Sequence, residues 1–260
     1  MKREFQVTYK KEILRFALLL GEQMLTNGAE TSRVEDSVLR VCKSRGFNHV
    51  NVFSTPTCLI ISDEKFDGLT FMKTISKRTI NLTKIDKLNG ISRKFVQNSD
   101  IDPLDAIAML KEVDKVKDYN KYIYFLGTAM ASASFAYLIG GTTVLDFILT
   151  LIIATIGVII YNQTIQLTQI PFFATLISSF SIAVFGTLLV KYNVLVNPTS
   201  LIVGSIMPLL PGVSFIKGLR DLISGNLIAG VSRSIDAFLI AAATAVGVGV
   251  ALDLAVRFGG

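Results

Sequence analysis

The sequence is poor in the residues that form metal centres, disulfides and catalytic sites. Its 260 residues include one histidine, His49, two cysteines, Cys42 and Cys58, and no tryptophan. A single histidine cannot form a metal cluster, and the two cysteines have neither the spacing of a zinc site nor that of a disulfide framework. The sequence also lacks a phosphate-binding loop and a nucleophile elbow. We therefore predict free thiols, no metal or other cofactor, and a protein that is not an enzyme.

Charged residues are scarce in the second half of the chain. Residues 122–260 contain five Lys and Arg and four Asp and Glu, whereas residues 1–121 contain 21 and 16. This contrast predicts two domains, a soluble one over residues 1–121 and a membrane domain over residues 122–260. The positive excess of the first half is dispersed among acidic residues without interleaved aromatic residues, which argues against a nucleic-acid partner.

Five apolar segments of the second half approach the length of about 20 residues that a spanning helix needs. They are Tyr122–Ile139, Val144–Tyr161, Phe172–Val190, Leu195–Leu210 and Ser234–Val256. We assign Asn162, Gln163 and Gln166 to a loop after the second span, with the mouth of a cavity as the alternative. The predicted fold is therefore a membrane protein with an N-terminal α+β cytosolic domain, followed by an all-α bundle of about five transmembrane helices.

The distribution of lysine and arginine predicts the orientation in the membrane. The N-terminus has no secretory signal, because its short apolar run is flanked by Glu12 and Glu22. Positive residues precede the first span and lie between the fourth and fifth, namely Lys111, Lys115, Lys117, Lys121, Lys217, Arg220 and Arg233. The positive-inside rule then predicts a multi-pass plasma (inner) membrane protein with a cytoplasmic N-terminal domain and an outward-facing Arg257. The first four lysines either contact anionic membrane lipid or form a solvated helix face.

Prolines interrupt the fourth apolar segment. Pro208 cannot donate a hydrogen bond to the carbonyl of Gly204, nor Pro211 to that of Met207. Broken helices are tolerated in a membrane where they are buried in protein or line a wet cavity, and transporters use the freed carbonyls as ligands. The residues that follow predict an amphipathic helix in which Lys217 pairs with Asp221. This helix lies along the cytosolic interface or lines an inner vestibule, or it belongs to a simple connecting loop.

Small residues repeat every four positions on two faces of the last span. One face has Ala237, Ala241, Ala245 and Gly249, and the other has Ala243, Gly247, Ala251 and Ala255. Small residues let helices approach closely in lipid. We expect this span to pack against helices on two sides, either as static packing or as a moving interface. Near its end, we expect Asp253 to pair with Arg257.

The first half has the pattern of an α+β domain. Its predicted helices are Ile13–Leu25, a second from Thr31 or Ser32 to Arg45, Leu82–Phe95 and Pro103–Lys115, and its predicted strands are Val50–Ser54, Thr57–Ser62 and Leu69–Ile75. Thr31 or Ser32 with Glu35 fits a capping box at the start of the second helix. The nearby charges of Glu30, Arg33, Glu35 and Asp36 indicate either a cap with its salt bridges or a ligand or gating contact.

Several segments resemble a known family. The segments GEQMLTNGAETSRVEDSVLRVCKSRG, VFSTPTCLIIS and NLTKIDKLNGISR resemble the cytosolic region of the threonine/serine exporters, the ThrE and YjjP-like proteins. The stretch GSIMPLLPGVSFIKGLRDLISGNLIAG, with the small-residue span after it, is similar to the membrane signature of the same family. The resemblance covers roughly residues 10–255.

The resemblance implies an inner-membrane exporter of threonine and serine, or of small dicarboxylates such as succinate, coupled to the proton gradient. It also implies that the chain is the larger module of a split exporter, which a small integral membrane partner completes. Whether the chain also forms a homo-oligomer is left open. The residues expected to bind the substrate or gate its path are Pro208, Pro211, Gly212, Arg220, Asp221, Arg233 and Asp236, with Gly28, Glu30, Arg33 and Glu35 as a cytosolic motif. The alternative is a membrane-anchored regulatory or enzymatic protein that acts through its cytosolic domain.

Overall fold

The computed structural model of the chain describes residues 2–65, 69–76, 78–116, 120–140, 143–194 and 198–258. The chain divides into two units, of which the first comprises Met1–Lys117 with Ile216–Arg233 and the second comprises Asp118–Phe215 with Ser234–Gly260. The first unit thus includes a short segment from late in the sequence. The predicted boundary between a soluble and a membrane domain at residue 121 remains a prediction.

The first unit contains four helices and a three-stranded sheet within its N-terminal part, as far as the structure describes it. They are α1 (Lys2–Thr26), α2 (Thr31–Ser44), β1 (Val50–Thr55), β2 (Cys58–Asp63), β3 (Thr70–Thr74), α3 (Leu82–Gln97) and α4 (Pro103–Asp114). The strands form an antiparallel meander in the order β1-β2-β3. In its register Ile61 lies opposite Val52 on one side and Phe71 on the other. The predicted helices and strands of this half are therefore present.

The core of the first unit forms where α1 and α2 cover one face of the sheet. Alternate residues of β2, Leu59 and Ile61, are fully buried, as the period of two in a half-buried strand requires. Gly21 permits the close approach of α1, because a Cβ there would lie 2.5 Å from a methyl carbon of Leu59. Lys10 and Asp63 form an ion pair inside this core. Burial of each large apolar side chain stabilises the unit by about 1.5–3 kcal/mol.

The remaining helices follow from residue 121 onward. They are α5 (Lys121–Gly140), α6 (Val144–Thr168), α7 (Pro171–Lys191), α8 (Thr199–Ile206), a 3₁₀ turn (Met207–Leu209), α9 (Gly212–Ile223) and α10 (Leu227–Phe258). The prediction of a loop at Asn162, Gln163 and Gln166 is wrong, since α6 continues through all three. The sequence has no glycine or proline between Gly157 and Pro171, and α6 ends at Thr168, where Gln169 caps it in a left-handed conformation (φ 55°).

Four helices are long and apolar enough to cross a membrane within the described part of the chain: Lys121–Gly140, Val144–Thr168, Pro171–Lys191 and Leu227–Arg257. The pair Thr199–Leu209 and Gly212–Ile223 also passes as a unit, but it bends by 56° between its halves. Its first half corresponds to the predicted proline-interrupted span, and its second half is the segment that was predicted as a separate amphipathic helix. The predicted start of that span, Leu195, and the flanking Lys117 lie outside the described residues.

Close helix approach in the second unit depends on small residues. A Cβ on Gly157 of α6 would lie 2.5 Å from Ile182 of α7, and one on Gly247 of α10 would lie 2.5 Å from the carbonyl oxygen of Leu176 in α7. Ala243 and Ala251, one helical turn to either side of Gly247, are buried. One of the two predicted packing faces of α10 is therefore occupied. On the other face Ala237 is buried, whereas Ala241, Ala245 and Gly249 are exposed in this chain.

Candidate functional site

The site begins at the turn between α1 and α2. Gly28 has a φ of +88°, which favours glycine, and a Cβ there would lie 2.7 Å from the carbonyl oxygen of Thr79. The amide nitrogens of Gly28 and Ala29 donate to the carbonyls of Leu25 and Met24, at 3.0 and 2.9 Å, and so close the C-terminus of α1. This geometry leaves the carbonyls of Gly28 and Ala29 available to other donors.

Two cations from the late segment of the same unit bind these carbonyls. Lys217 of α9 donates through Nζ to the carbonyl oxygen of Gly28. Arg233 of α10 donates through Nη2 to the carbonyl oxygen of Ala29, at 3.1 Å. Hydrogen bonds from charged donors to carbonyls are stronger than neutral ones, so both contacts stabilise the turn.

Asp221 is the buried centre of the site, with 1% of its side chain exposed. The hydroxyl of Thr31, itself fully buried, donates to Oδ1 of Asp221 at 2.7 Å. Nε of Arg233 lies 3.0 Å from Oδ2 as an ion pair, without the alignment of a hydrogen bond. A carboxylate this deep needs such partners, because an unpaired buried charge is strongly destabilising.

A second ion pair lies nearer the surface. Nη1 of Arg220 is 2.6 Å from Oε1 of Glu30, and the exposed fractions of the two side chains are 63% and 18%. Solvent screens such a pair, so its contribution to stability is small. We give the name clasp to all the residues joined by the contacts described so far in this site: Gly28, Ala29, Glu30, Thr31, Lys217, Arg220, Asp221 and Arg233.

The clasp has an excess of positive charge. Three cationic side chains face two carboxylates, and the Asp221–Arg233 pair is more deeply buried than the Glu30–Arg220 pair. The arrangement can therefore do two different things. The Asp221 pair anchors the late segment to the α1–α2 turn, whereas Arg220 is accessible enough for a solute carboxylate to compete with Glu30, since a guanidinium binds carboxylates bidentately.

Two predicted contacts near the clasp are wrong. The capping box of α2 does not form, because Glu30 takes the N-cap position without a side-chain bond, and Thr31 donates to Asp221 instead. The carboxylate of Glu35 accepts from the backbone nitrogen and hydroxyl of Ser54, at 2.8 and 3.0 Å. The predicted Lys217–Asp221 pair is also absent, since Lys217 binds a backbone carbonyl and Arg233 occupies the carboxylate. These side chains are used in long-range contacts that helical spacing cannot reveal.

The other predicted site residues lie outside the clasp. Arg33 is exposed and its Nε lies 3.9 Å from Glu30, while Glu35 fastens α2 to β1. Asp236 is exposed on α10, three residues after Arg233 and in the second unit. The predicted pair of Asp253 with Arg257 is confirmed at 2.8 Å.

Pro208, Pro211 and Gly212 lie at the break between α8 and α9. The amide of Met207 donates to the carbonyl of Gly204, and that of Leu210 donates to the carbonyl of Met207 at 3.2 Å. Short-range bonds of the 3₁₀ turn therefore satisfy both carbonyls that the prolines leave without their usual donors. A carbonyl oxygen has two lone pairs, so each of these carbonyls can still accept a second bond from a ligand, as expected for a broken helix.

The sequence did not identify Thr31 as a member of the site, and it did not show that Lys217 binds a backbone carbonyl. A threonine at the start of a helix ordinarily indicates a cap, and a lysine four residues before an aspartate ordinarily indicates a helical ion pair. Both signals were present but pointed to local partners. No group of three or more histidine, cysteine or acidic side chains suited to a metal ion occurs among the described residues.

Comparisons with known proteins agree with the family resemblance seen in the sequence. The family model "Putative threonine/serine exporter" (ThrE) matches residues 15–255. The "Probable threonine/serine exporter" of Mycobacterium tuberculosis is 22% identical over 94% of this chain and 46% of its own length. The "Threonine/serine exporter" of Corynebacterium glutamicum is 22% identical over 93% of this chain and 51% of its own length. This chain thus spans about half the length of these two relatives.

A third relative is matched along almost its whole length. The "Probable succinate transporter subunit YjjP" of Escherichia coli is 23% identical over 96% of this chain and 97% of its own length. No solved structure matches the chain.

Proposed function

Because the chain belongs to the threonine/serine exporter (ThrE) family, we propose that it is a subunit of a secondary-active exporter of small polar metabolites. The family is one of exporters, which points away from an enzyme, and the apolar helices support a multi-pass membrane protein. The proposed substrates are threonine- or serine-type amino acids or small dicarboxylates such as succinate. The proposed driving force is the proton gradient.

The observation that carries this proposal is the break at Pro208 and Pro211 within an apolar helix pair. The two halves bend by 56°, and such breaks in membrane segments mark solute paths in secondary transporters. The second half, α9, begins immediately after the break and carries Lys217, Arg220 and Asp221 into the clasp. A change in the clasp would therefore act on the helix that follows the break.

We assign separate roles to the site residues. Pro208, Pro211 and Gly212 shape the break. Asp221 and Arg233, together with Thr31, anchor α9 and α10, while Arg220 and Glu30 form a gate that a solute carboxylate can open by displacing Glu30. Arg33, Glu35 and Asp236 support this region from outside the clasp.

The proposed orientation has the N-terminal region in the cytoplasm. Its support is the positive-inside rule applied to Lys111, Lys115 and Lys121 before α5 and to the cations of the clasp. A reporter fused after residue 258 tests the number of crossings. If the bent helix pair crosses the membrane, the reporter lies outside the cell, and if the pair re-enters on its own side, the reporter lies in the cytoplasm.

The proposed partner is a small integral membrane protein that completes the transport path. The name of the E. coli relative describes a subunit, and α10 exposes a face of Ala241, Ala245 and Gly249 on which another helix could pack closely. A second copy of this chain is the alternative occupant. Chemical cross-linking in membranes, followed by mass determination, distinguishes the two.

Efflux from loaded cells tests the proposal. Cells expressing this chain, with and without a candidate partner, are preloaded with labelled threonine, serine or succinate. We expect efflux that Arg220→Ala abolishes while the protein stays inserted in the membrane. Arg257→Ala, which removes an equally exposed arginine from an ion pair on α10, is the matched control and should leave efflux unchanged. Normal efflux from Arg220→Ala would remove Arg220 from the site, and no efflux of any of the three solutes would reject the function.

A further inference from the structure

Hydroxyl groups in the second unit usually bond to a carbonyl of their own helix. Thr150 donates to the carbonyl of Asp146 at 2.7 Å, Thr155 to that of Leu151 at 2.7 Å, and Ser181 to that of Ile177 at 2.8 Å. This is the ordinary way in which an apolar helix satisfies a serine or threonine. The exceptions are therefore informative.

Three buried hydroxyl groups of this unit have no hydrogen-bond partner among the residues that the structure describes. They belong to Ser132 on α5, Thr175 on α7 and Ser205 on α8, and each side chain is at least 99% buried. A buried polar group without a partner is destabilising, so each one calls for an explanation. A ligand that supplies the missing bond is one such explanation.

Two of the three lie at one helix interface. Gly204, the neighbour of Ser205 in α8, approaches the backbone of α5 so closely that a Cβ on it would lie 2.8 Å from the carbonyl oxygen of Ser132. Despite this proximity of the two segments, the hydroxyls of Ser132 and Ser205 do not bond to each other. Thr175 lies elsewhere, on α7.

A cavity of about 430 Å³ opens beside this interface. Its wall includes Thr128, Ser132 and Phe135 of α5 together with Met207 and Pro208 of the helix break. Its volume falls within the range of about 300–1,000 Å³ that small-molecule sites occupy. A cavity of about 510 Å³ at the α5–α6 connection borders neither the break nor an unpartnered hydroxyl.

The described lining of the 430 Å³ cavity carries no charged side chain. Along the sequence, α5 has no charged residue after Lys121, and the segment Thr199–Leu209 has none at all. A dianion in such surroundings would lack the cations that must offset its desolvation. A hydroxyl, by contrast, can donate to a carboxylate and accept from an ammonium group, which suits a solute whose two charges cancel.

We propose that this cavity is the solute-binding subsite, that the hydroxyl of Ser132 in its wall holds the solute, and that it selects amino-acid zwitterions over dicarboxylate dianions. This proposal rests on the proposed exporter function and narrows its substrate class. The clasp, with its accessible Arg220, then serves as a gate and not as the site that distinguishes solutes.

Binding to the purified full-length chain in detergent tests the subsite without a transport assay. The readout is the shift in thermal unfolding caused by L-threonine and, separately, by succinate. We expect L-threonine to stabilise the wild type, and Ser132→Ala to weaken its apparent affinity about fivefold, the effect of one lost hydrogen bond. Without solute, Ser132→Ala should unfold no earlier than the wild type, because the hydroxyl has no hydrogen bond to lose among the described residues.

Thr175→Val is the matched control, since it removes a hydroxyl that is equally buried and unpartnered but does not line the cavity. It should leave the affinity for L-threonine unchanged. Equal stabilisation of all variants by L-threonine, or none of the wild type, would overturn the subsite. Stabilisation by succinate that Ser132→Ala abolishes would overturn the charge argument. Efflux that Arg220→Ala abolishes, combined with unchanged threonine affinity in Ser132→Ala, would keep the exporter function and reject only the subsite.

Discussion

The clasp and the α5–α8 cavity both bury polar side chains, but they differ in whether those side chains have partners. In the clasp, Asp221 accepts a hydrogen bond from Thr31 and pairs with Arg233. In the cavity wall, the hydroxyl of Ser132 has no partner in the described chain, and the neighbouring Ser205 has none either. Buried groups that a hydrogen bond or an ion pair compensates stabilise one arrangement of the fold, whereas a buried hydroxyl with neither is available to a ligand. Charge alone therefore does not identify the solute site.

The two regions also differ in the solute that each could recognise. The clasp offers cations to a carboxylate, while the cavity offers neutral hydroxyls. If both regions act in export, the cavity selects the solute and the clasp responds to its passage. Variants that affect one region and spare the other therefore test this division of roles.

Asp221→Ala should have the largest effect on stability. It leaves the guanidinium of Arg233, with 13% of its side chain exposed, without its carboxylate, and removal of one member of a buried pair costs about 3–5 kcal/mol. We expect a much lower yield of folded protein and an earlier thermal transition. Because the chain has no tryptophan, a fluorescent fusion followed by size-exclusion chromatography after heating is a suitable measurement.

Asp253→Ala provides the control for Asp221→Ala. It breaks the exposed Asp253–Arg257 pair, which should contribute about 0–1 kcal/mol. An equal loss of stability in both variants would mean that burial of Asp221 does not govern its contribution.

Gly204→Ala should have the next largest effect. Its Cβ would lie 2.5 Å from the Cβ of Ala136, so α8 and α5 must separate, at a cost of about 1–3 kcal/mol for an overpacked contact. The same separation should weaken solute binding at the cavity. Gly249→Ala is the control, because a Cβ there meets nothing within 4 Å. If Gly204→Ala unfolds no earlier than Gly249→Ala, α8 does not approach α5 as described.

Arg220→Ala should have a smaller effect on stability than either of these changes. With 63% of the Arg220 side chain exposed, solvent screening limits the loss to at most about 1 kcal/mol. We therefore expect a nearly unchanged thermal transition together with the loss of efflux proposed above. A large destabilisation would instead make Arg220 part of the anchor, and its efflux defect would say nothing about a gate.

The sequence predicted elements better than it predicted contacts. Apolar periodicity located β2 to within one residue, at Thr57–Ser62 against the observed Cys58–Asp63, because side-chain period follows directly from backbone geometry. The sequence also singled out Glu30 and Arg220, but not that they pair across 190 residues. Nor could it show that Ser132 lacks a partner, because an unmade bond is a property of the assembled helices.

The prediction with the smallest expected effect compares the thiol reactivity of the two cysteines of the first unit. Burial raises the pKa of the Cys42 thiol to about 12, Asp63 adds to this shift, and Lys10 opposes it. Cys58 is half-buried at the start of β2. Because the thiolate is the reactive form, Cys42 should stay unmodified by a maleimide at pH 7–8 while Cys58 reacts.

Labelling of Cys58→Ser isolates Cys42 and shows how far its surroundings stay closed. The native variant should take up little maleimide, and the denatured variant should take up one equivalent. The raised pKa also gives the sign of a pH effect. The stability that a protonated, buried thiol retains at neutral pH is lost progressively as the pH rises from about 9 towards 12, because only the unfolded state ionises readily in that range. Rapid labelling of Cys42 at pH 7 in the native variant would contradict this expectation and show that the core around Cys42 opens locally.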